Sequence, residues 1–309
     1  MEIMDVLTRA GCFIAIIFLG YILRRVNFFK EGEFHVLSKI VLKITLPAAI
    51  ITSLANKEIS PSLLFISLIG LGGGIIYISI ILILNNKAAR EEKAFRVLNC
   101  CGYNIGNFTL PFVQSFFGPV GVLTTSLFDI GNACICLGGA YSLASVIKGD
   151  EGDFKLSGFI RSLFKSIPFD TYVVMTILGL LKIPLPVCVT SFAGIISNAN
   201  AFMAMLMIGV GFKLAGDTSQ MKAIMQILSV RYSVGLVIAL ACLFLLPMPI
   251  EYRQALALLP LSPIASSAPA FTADLKGDIG LSSAINSISI VISIALMVGM
   301  LLLAAAINV

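Results

Sequence analysis

Stretches of about 20 residues with almost no charge recur along this chain, and each is long enough to cross the hydrocarbon core of a membrane as a helix. Ten are legible: 5–25, 34–55, 61–85, 93–117, 119–147, 167–183, 187–212, 221–246, 252–275 and 279–307. Short breaks, charged or rich in Pro and Gly, separate them. Strands of a barrel would instead alternate apolar and polar residues in segments of about 10. Only 12% of the 309 residues are charged and 58% are hydrophobic, where soluble domains carry about 25% charged residues. The expected fold is an all-α polytopic membrane protein. Met1–Asp5 lacks a basic n-region and precedes a run long enough to span, so a first span is expected there rather than a cleaved leader.

The basic residues orient the chain. Fifteen of the 21 Lys and Arg fall in the breaks after spans 1, 3, 5, 7 and 9, and four (Arg9, Lys57, Lys182, Arg253) lie on the other side. Cytoplasmic loops carry the excess of Lys and Arg, so the odd breaks are cytoplasmic and both termini face outward. Lys43 and Arg231 fall within spans and are expected to snorkel to the cytoplasmic edge. A net charge of +5 spread over loops is no nucleic-acid signature. Within Lys148–Ser166, the residues Phe159, Ile160, Leu163 and Phe164 share a helical face, which suggests an interfacial helix; a solvated linker fits nearly as well. The seven cysteines lie in or beside apolar segments and read as packing residues, because neither His nor an acidic cluster completes Cys134-Ile-Cys136 as a metal site. His35, alone of its kind, reads as a loop residue.

The two halves echo each other at a near-constant offset. Leu19-Gly20 at the end of span 1 matches Leu178-Gly179 at the end of span 6; Leu110-Pro111-Phe112 matches Ala268-Pro269-Ala270; and the turn at Gly118-Pro119 matches Lys276-Gly277-Asp278. Five spans is an odd number, so the second unit enters the membrane from the opposite side. Residues 1–147 and 167–309 then form two inverted five-helix repeats joined by a linker at 148–166, an arrangement found in transporters.

Span 4 carries Gly102, Asn104, Gly106, Asn107 and Pro111, and span 9 carries Pro260, Ser262, Pro263, Ser266, Ser267 and Pro269. Neither composition suits an unbroken helix. In lipid, freed backbone groups are tolerated only where they are buried in protein or line a wet cavity. Paired interruptions at corresponding places in inverted halves point to a transport site, and half-helix N-termini there suit an anionic group. Two proline kinks that only shape packing are the alternative. Asp129, Asn132 and Asn286 lie in spans 5 and 10 at matching depth, and an acid in mid-membrane is usually functional. Asp129 is a candidate for cation binding, for proton coupling or for holding the broken span-4 backbone. Asn198 and Asn200 in span 7 either reach a substrate or join helices. Gly72-Gly-Gly74 reads as close helix packing.

With these residues in place, the chain resembles the auxin efflux carrier family, the bacterial relatives of the plant PIN-type carriers. The likeness is carried by Leu37–Pro47, Asn104–Pro111, Phe117-Gly-Pro119 with Phe128–Asn132, and Ser262–Pro269. It implies ten transmembrane helices in two inverted repeats with crossed broken helices 4 and 9, the bile-acid symporter/sodium–proton antiporter-like fold. Spans 1, 2, 6 and 7 would be a scaffold, a possible homodimer surface, and spans 3–5 and 8–10 a moving transport domain crossing at Pro111 and Pro269. Carriage of a small carboxylate such as malate, malonate or an auxin-like acid by an elevator mechanism in a bacterial cytoplasmic (inner) membrane is implied. No cofactor is expected beyond a coupling sodium ion or proton. The linker is too short for the long regulatory loop of many plant carriers. The expected substrate site is Asn104, Asn107, Pro111, Ser262, Ser266, Ser267, Pro269 and Asn200, with Asp129, Asn132 and Asn286 as ion-coupling candidates. A cation–proton antiporter or sodium-coupled symporter on the same fold is the competing class. An intramembrane enzyme lacks its motifs here (His-Glu-x-x-His, Gly-x-Ser-x-Gly, paired aspartates). A receptor built on a carrier fold would have no signalling domain attached.

Overall fold

The computed structural model describes residues 3–30, 32–149, 160, 161, 163–212 and 220–306. Helix is the only regular structure among them, apart from a single two-residue β-bridge. We label the helices α1 (Ile3–Arg25), α2 (Glu33–Leu54), α3 (Pro61–Leu84), α4 (Arg90–Cys100), α5 (105–117), α6 (119–148), α7 (Ile167–Leu180), α8 (Val187–Gly211), α9 (Met221–Leu245), α10 (Ile250–Leu258), α11 (Ala268–Asp274) and α12 (Ile279–Ala306). Seven helical stretches among the described residues are long and apolar enough to cross a membrane, with α5 and α6 counted as one. Together with the shorter apolar α7 they make a multi-pass membrane protein.

Gly118 separates α5 from α6. Its φ of +51° is left-handed, a conformation that only glycine adopts without strain. The following Pro119 then starts α6 with its φ already fixed. Close helix contacts are made through glycines. A Cβ on Gly131 of α6 would strike the Ser67 carbonyl of α3, and one on Gly70 of α3 would strike the Phe128 carbonyl of α6. Gly20 of α1 and Gly209 of α8 stand in the same relation across a second helix pair. Lipid supplies no hydrophobic drive between helices, so this close backbone approach is what holds such pairs. Within Gly72-Gly-Gly74, Gly73 and Gly74 pack on Tyr103 and Ile135, while Gly72 has open space beside it.

Two packing sets stand out: α2 lies on α7 and on the first half of α8, whose second half lies on α1; and residues 110–134, the end of α5 and the first half of α6, pack on α3 and α10, with α9 on α10 and α11 on α12. The sets touch where α2 and α7 meet residues 110–134 and where α1 meets α12. Leu163 is buried with Ala133 and Phe169, while Ile160 and Phe164 are exposed. Phe159, the remaining member of the expected interfacial face, lies outside the described residues.

Two expectations are corrected. Pro111 and Pro269 do not sit at the helix interruptions. Pro269 occupies the first turn of α11, where a missing N–H costs nothing. Pro111 lies inside α5, and its effect falls on the turn before it: residues Ile105–Thr109 form a wide π turn, which absorbs the lost hydrogen bond and the ring. The same Thr-Leu-Pro triplet follows another π turn, Val41–Thr45, in α2. The interruptions themselves are at 101–104 and 262–267. Second, Arg231 does not snorkel. It is fully buried, because α9 turns it toward the interrupted helices. Lys43, in contrast, is exposed.

Candidate functional site

The chain between α4 and α5 leaves helical geometry at Cys101 (φ −86°, ψ 154°). Gly102 follows with φ +80°, and a Cβ there would lie 2.6 Å from the Cys136 sulfur; glycine meets both requirements. Ser262 is likewise extended (φ −59°, ψ 151°), and Pro263 after it has no N–H to satisfy. The two extended segments meet antiparallel at Tyr103 and Ile264, with the Asn104 N–H donating to the Pro263 carbonyl at 2.9 Å.

Every backbone group freed at such a crossing must find a partner. Asn132 of α6 acts as a short strand for Tyr103: its Oδ1 accepts from the Tyr103 N–H at 3.0 Å and its Nδ2 donates to the Tyr103 carbonyl at 2.9 Å. The second segment is held alike from α12. Asn286 Nδ2 donates to the Ile264 carbonyl at 3.0 Å, and the Ile264 N–H donates to Ser289 Oγ at 3.1 Å. Thr109 Oγ1 donates to Ser262 Oγ at 2.7 Å and so ties α5 to the second break. Arg231 donates to the Cys100, Ser262 and Pro263 carbonyls, one at the end of α4 just before the first interruption and two in the second.

A cavity of about 290 Å³ opens beside the crossing. Its wall brings together Asn104, Asn107, Asp129, Asn132, Ser266 and Ser267, six of the residues expected from the sequence. All three π turns among the described residues contribute to it, through Leu42, through Ile105–Asn107, and through Cys136 and Leu137. Ser166, Pro168 and Phe169 at the N-terminal end of α7 complete the wall, so the cavity lies toward that end of the helix. Among the described residues no basic side chain lines it.

The polar groups on the wall are not equally committed. Asn107 Nδ2 donates to Ser266 Oγ at 3.0 Å, and Asn107 Oδ1 is buried with no partner. Exchanging the amide oxygen and nitrogen would let Ser266 donate; in either form Asn107 keeps one buried amide atom without a partner among the described residues. Ser267 Oγ is taken up by the Cys136 carbonyl at 3.2 Å. The Asn132 amide is fully used, since its Nδ2 also donates to Asp129 Oδ1 at 2.7 Å. Asp129 is thus oriented through the residue that holds the break. The Tyr172 hydroxyl faces the Asp129 carboxylate without a hydrogen bond of good geometry.

Five expected residues lie off the cavity. Pro111 and Ser262 are buried behind it and Pro269 starts α11. Asn286 serves the second break. Asn200 is fully buried and accepts from Thr45 Oγ1 at 3.0 Å, joining α8 to α2. Tyr172 was not foreseen; a tyrosine early in an apolar span carries no signal of the face it occupies.

None of the curated proteins matches the chain. The family model described as a membrane transport protein matches residues 12–150, just under half of the chain. The match spans Leu37–Pro47, the first interruption, Gly118-Pro119 and Asp129 with Asn132, which carry most of the resemblance read from the sequence. Over that stretch the chain is similar to the membrane transport protein family.

Proposed function

We propose that this protein is a secondary-active or facilitative carrier of small organic anions, mono- or dicarboxylates of the size of malate, malonate or an auxin-like acid. One observation carries the reading: two interrupted helices meet backbone to backbone at the wall of a largely apolar cavity whose polar groups, among the described residues, are amides, hydroxyls and one carboxylate. Asn107 with its unused polar group, Asn104 and Ser266 are the carboxylate-binding residues in this reading, and Asn132 and Asn286 are the holders of the crossing. Neutral amides suit a carrier. They offer hydrogen bonds to an anion without a further charge on the wall that must recross the membrane when the empty site returns.

The ten spans are read as two inverted repeats, and the two packing sets as a scaffold (α1, α2, α7, α8) and a moving body (α3 to α6, α9 to α12) that carries the crossing in an elevator-type movement. By the distribution of basic residues the start of α7 is cytoplasmic, so the cavity as seen faces the cytoplasm. A homodimer would form through the scaffold, in a bacterial cytoplasmic (inner) membrane with both termini outside.

Asp129 on the cavity wall favours a second reading, transport coupled to sodium or protons, as a symporter or as a cation–proton antiporter. Uptake of a labelled carboxylate panel into proteoliposomes, with sodium and proton gradients imposed separately, decides between them. Saturable acid uptake supports the carrier. Cation flux without acid movement supports the antiporter.

A further inference from the structure

Arg231 is the largest of the fully buried side chains. Its guanidinium carbon lies 5.3 Å from the ring centroids of both Tyr77 and Tyr103, two neighbouring rings whose own centroids are 5.7 Å apart, a cation–π arrangement with both. The Tyr77 hydroxyl donates to the Arg231 carbonyl at 2.9 Å and fixes the ring. The Arg231 Nη1 reaches the last carbonyl of α4, at the edge of the first interruption, and Nη2 reaches two carbonyls of the second, while Nε has no partner among the described residues. Among the described residues no carboxylate forms an ion pair with it.

An unpaired buried cation is costly, on the order of several kcal/mol. Holding carbonyls does not require that charge, since Asn132 and Asn286 hold adjoining backbone with neutral amides. The positive charge is therefore surplus to the holding task. It stands directly behind Tyr103, which lines the cavity. Among the described residues the cavity wall carries one formal charge, Asp129, and it is negative; an entering carboxylate adds a second.

We propose that Arg231 is a specificity-determining residue that acts from behind the wall: its fixed charge lets this cavity hold a carboxylate in preference to an uncharged group of the same shape. It works through Tyr103 and the carbonyls of the crossing and does not touch the ligand. The inference rests on the carboxylate-carrier reading above.

Titration calorimetry on the purified full chain tests it with two matched pairs, indole-3-acetate against indole-3-acetamide and malonate against malonamide. Arg231→Gln keeps hydrogen-bond donors and removes the charge. It should weaken acid binding about 10- to 30-fold, the order that a unit charge supplies at intermediate dielectric one side chain away, with amide binding within about twofold of wild type. Arg231→Lys keeps the charge and loses the planar fork; it should lower thermal stability and keep the preference for acid over amide. Equal losses for acid and amide in Arg231→Gln, or loss of the preference in Arg231→Lys, would make Arg231 a structural tie and overturn the proposal. Should the Gln variant not fold, the Lys variant decides alone. Wild-type protein that binds the acids without preferring them over the amides removes this inference and leaves the carrier reading standing. Wild-type protein that binds neither acid removes both.

Discussion

At the scale of single residues, asparagines of one kind do two jobs, and substitution separates them. Asn107 lines the cavity, makes one bond, to Ser266, and keeps one buried amide atom without a partner among the described residues. A hydrogen bond to a charged ligand is worth about 1.5–3 kcal/mol, so Asn107→Ala should weaken carboxylate binding roughly 10- to 150-fold in calorimetry, with the melting temperature of the ligand-free protein nearly unchanged. Asn132 instead satisfies both the N–H and the carbonyl of Tyr103. Asn132→Ala leaves two buried backbone groups without partners, a loss of at least about 2 kcal/mol; its thermal unfolding should drop before any binding is measured. Asp129→Asn keeps the shape and removes the charge from the wall. The coupled reading expects transport that no longer responds to an imposed sodium or proton gradient, and unchanged gradient dependence would leave Asp129 as an acceptor for Asn132. The sequence made these polar residues conspicuous, because amides and an acid are rare in apolar spans. It could not say which amide is used up on backbone. Arg231 departs from its expectation for a related reason: snorkelling depends on which way a helix face points, and α9, with apolar residues on every face, does not show its inward one.

At the scale of elements, the interruptions were legible and their exact places were not. Proline marks a disturbance but acts on the turn that precedes it, so Pro111 yields a π turn at Ile105–Thr109 while the open segment lies at 101–104, where Gly102 takes a left-handed φ. Gly118-Pro119 is the opposite case. There the glycine and proline are adjacent, and the turn falls where the residues predict it. The close pairing of α3 with α6 leaves no room for a methyl group at Gly131, which faces the Ser67 carbonyl. Gly131→Ala should force the two backbones apart and cost about 1–3 kcal/mol, read as a lowered melting temperature in detergent. Gly72→Ala, on the partner helix α3 but with open space beside it, should melt close to wild type.

At the scale of the whole molecule, the long apolar runs and the placement of Lys and Arg carry most of what can be read: a multi-pass helical protein and an orientation. The orientation predicts that, in a cysteine-free background in intact cells, an impermeant maleimide labels Met4→Cys and not Asn86→Cys, both exposed positions; the reverse pattern would invert the topology. What the runs cannot show is that residues some 160 positions apart converge on one cavity, since that depends on how the two packing sets meet. The account stands on a carboxylate occupying that cavity, and Ser266, exposed on its wall, offers the most direct check. In a cysteine-free background, Ser266→Cys should react with a small thiol reagent from the cytoplasmic face. An acid that the protein transports should slow that reaction in a saturable way, and its uncharged amide should not. A reaction rate indifferent to every transported acid would contradict the site.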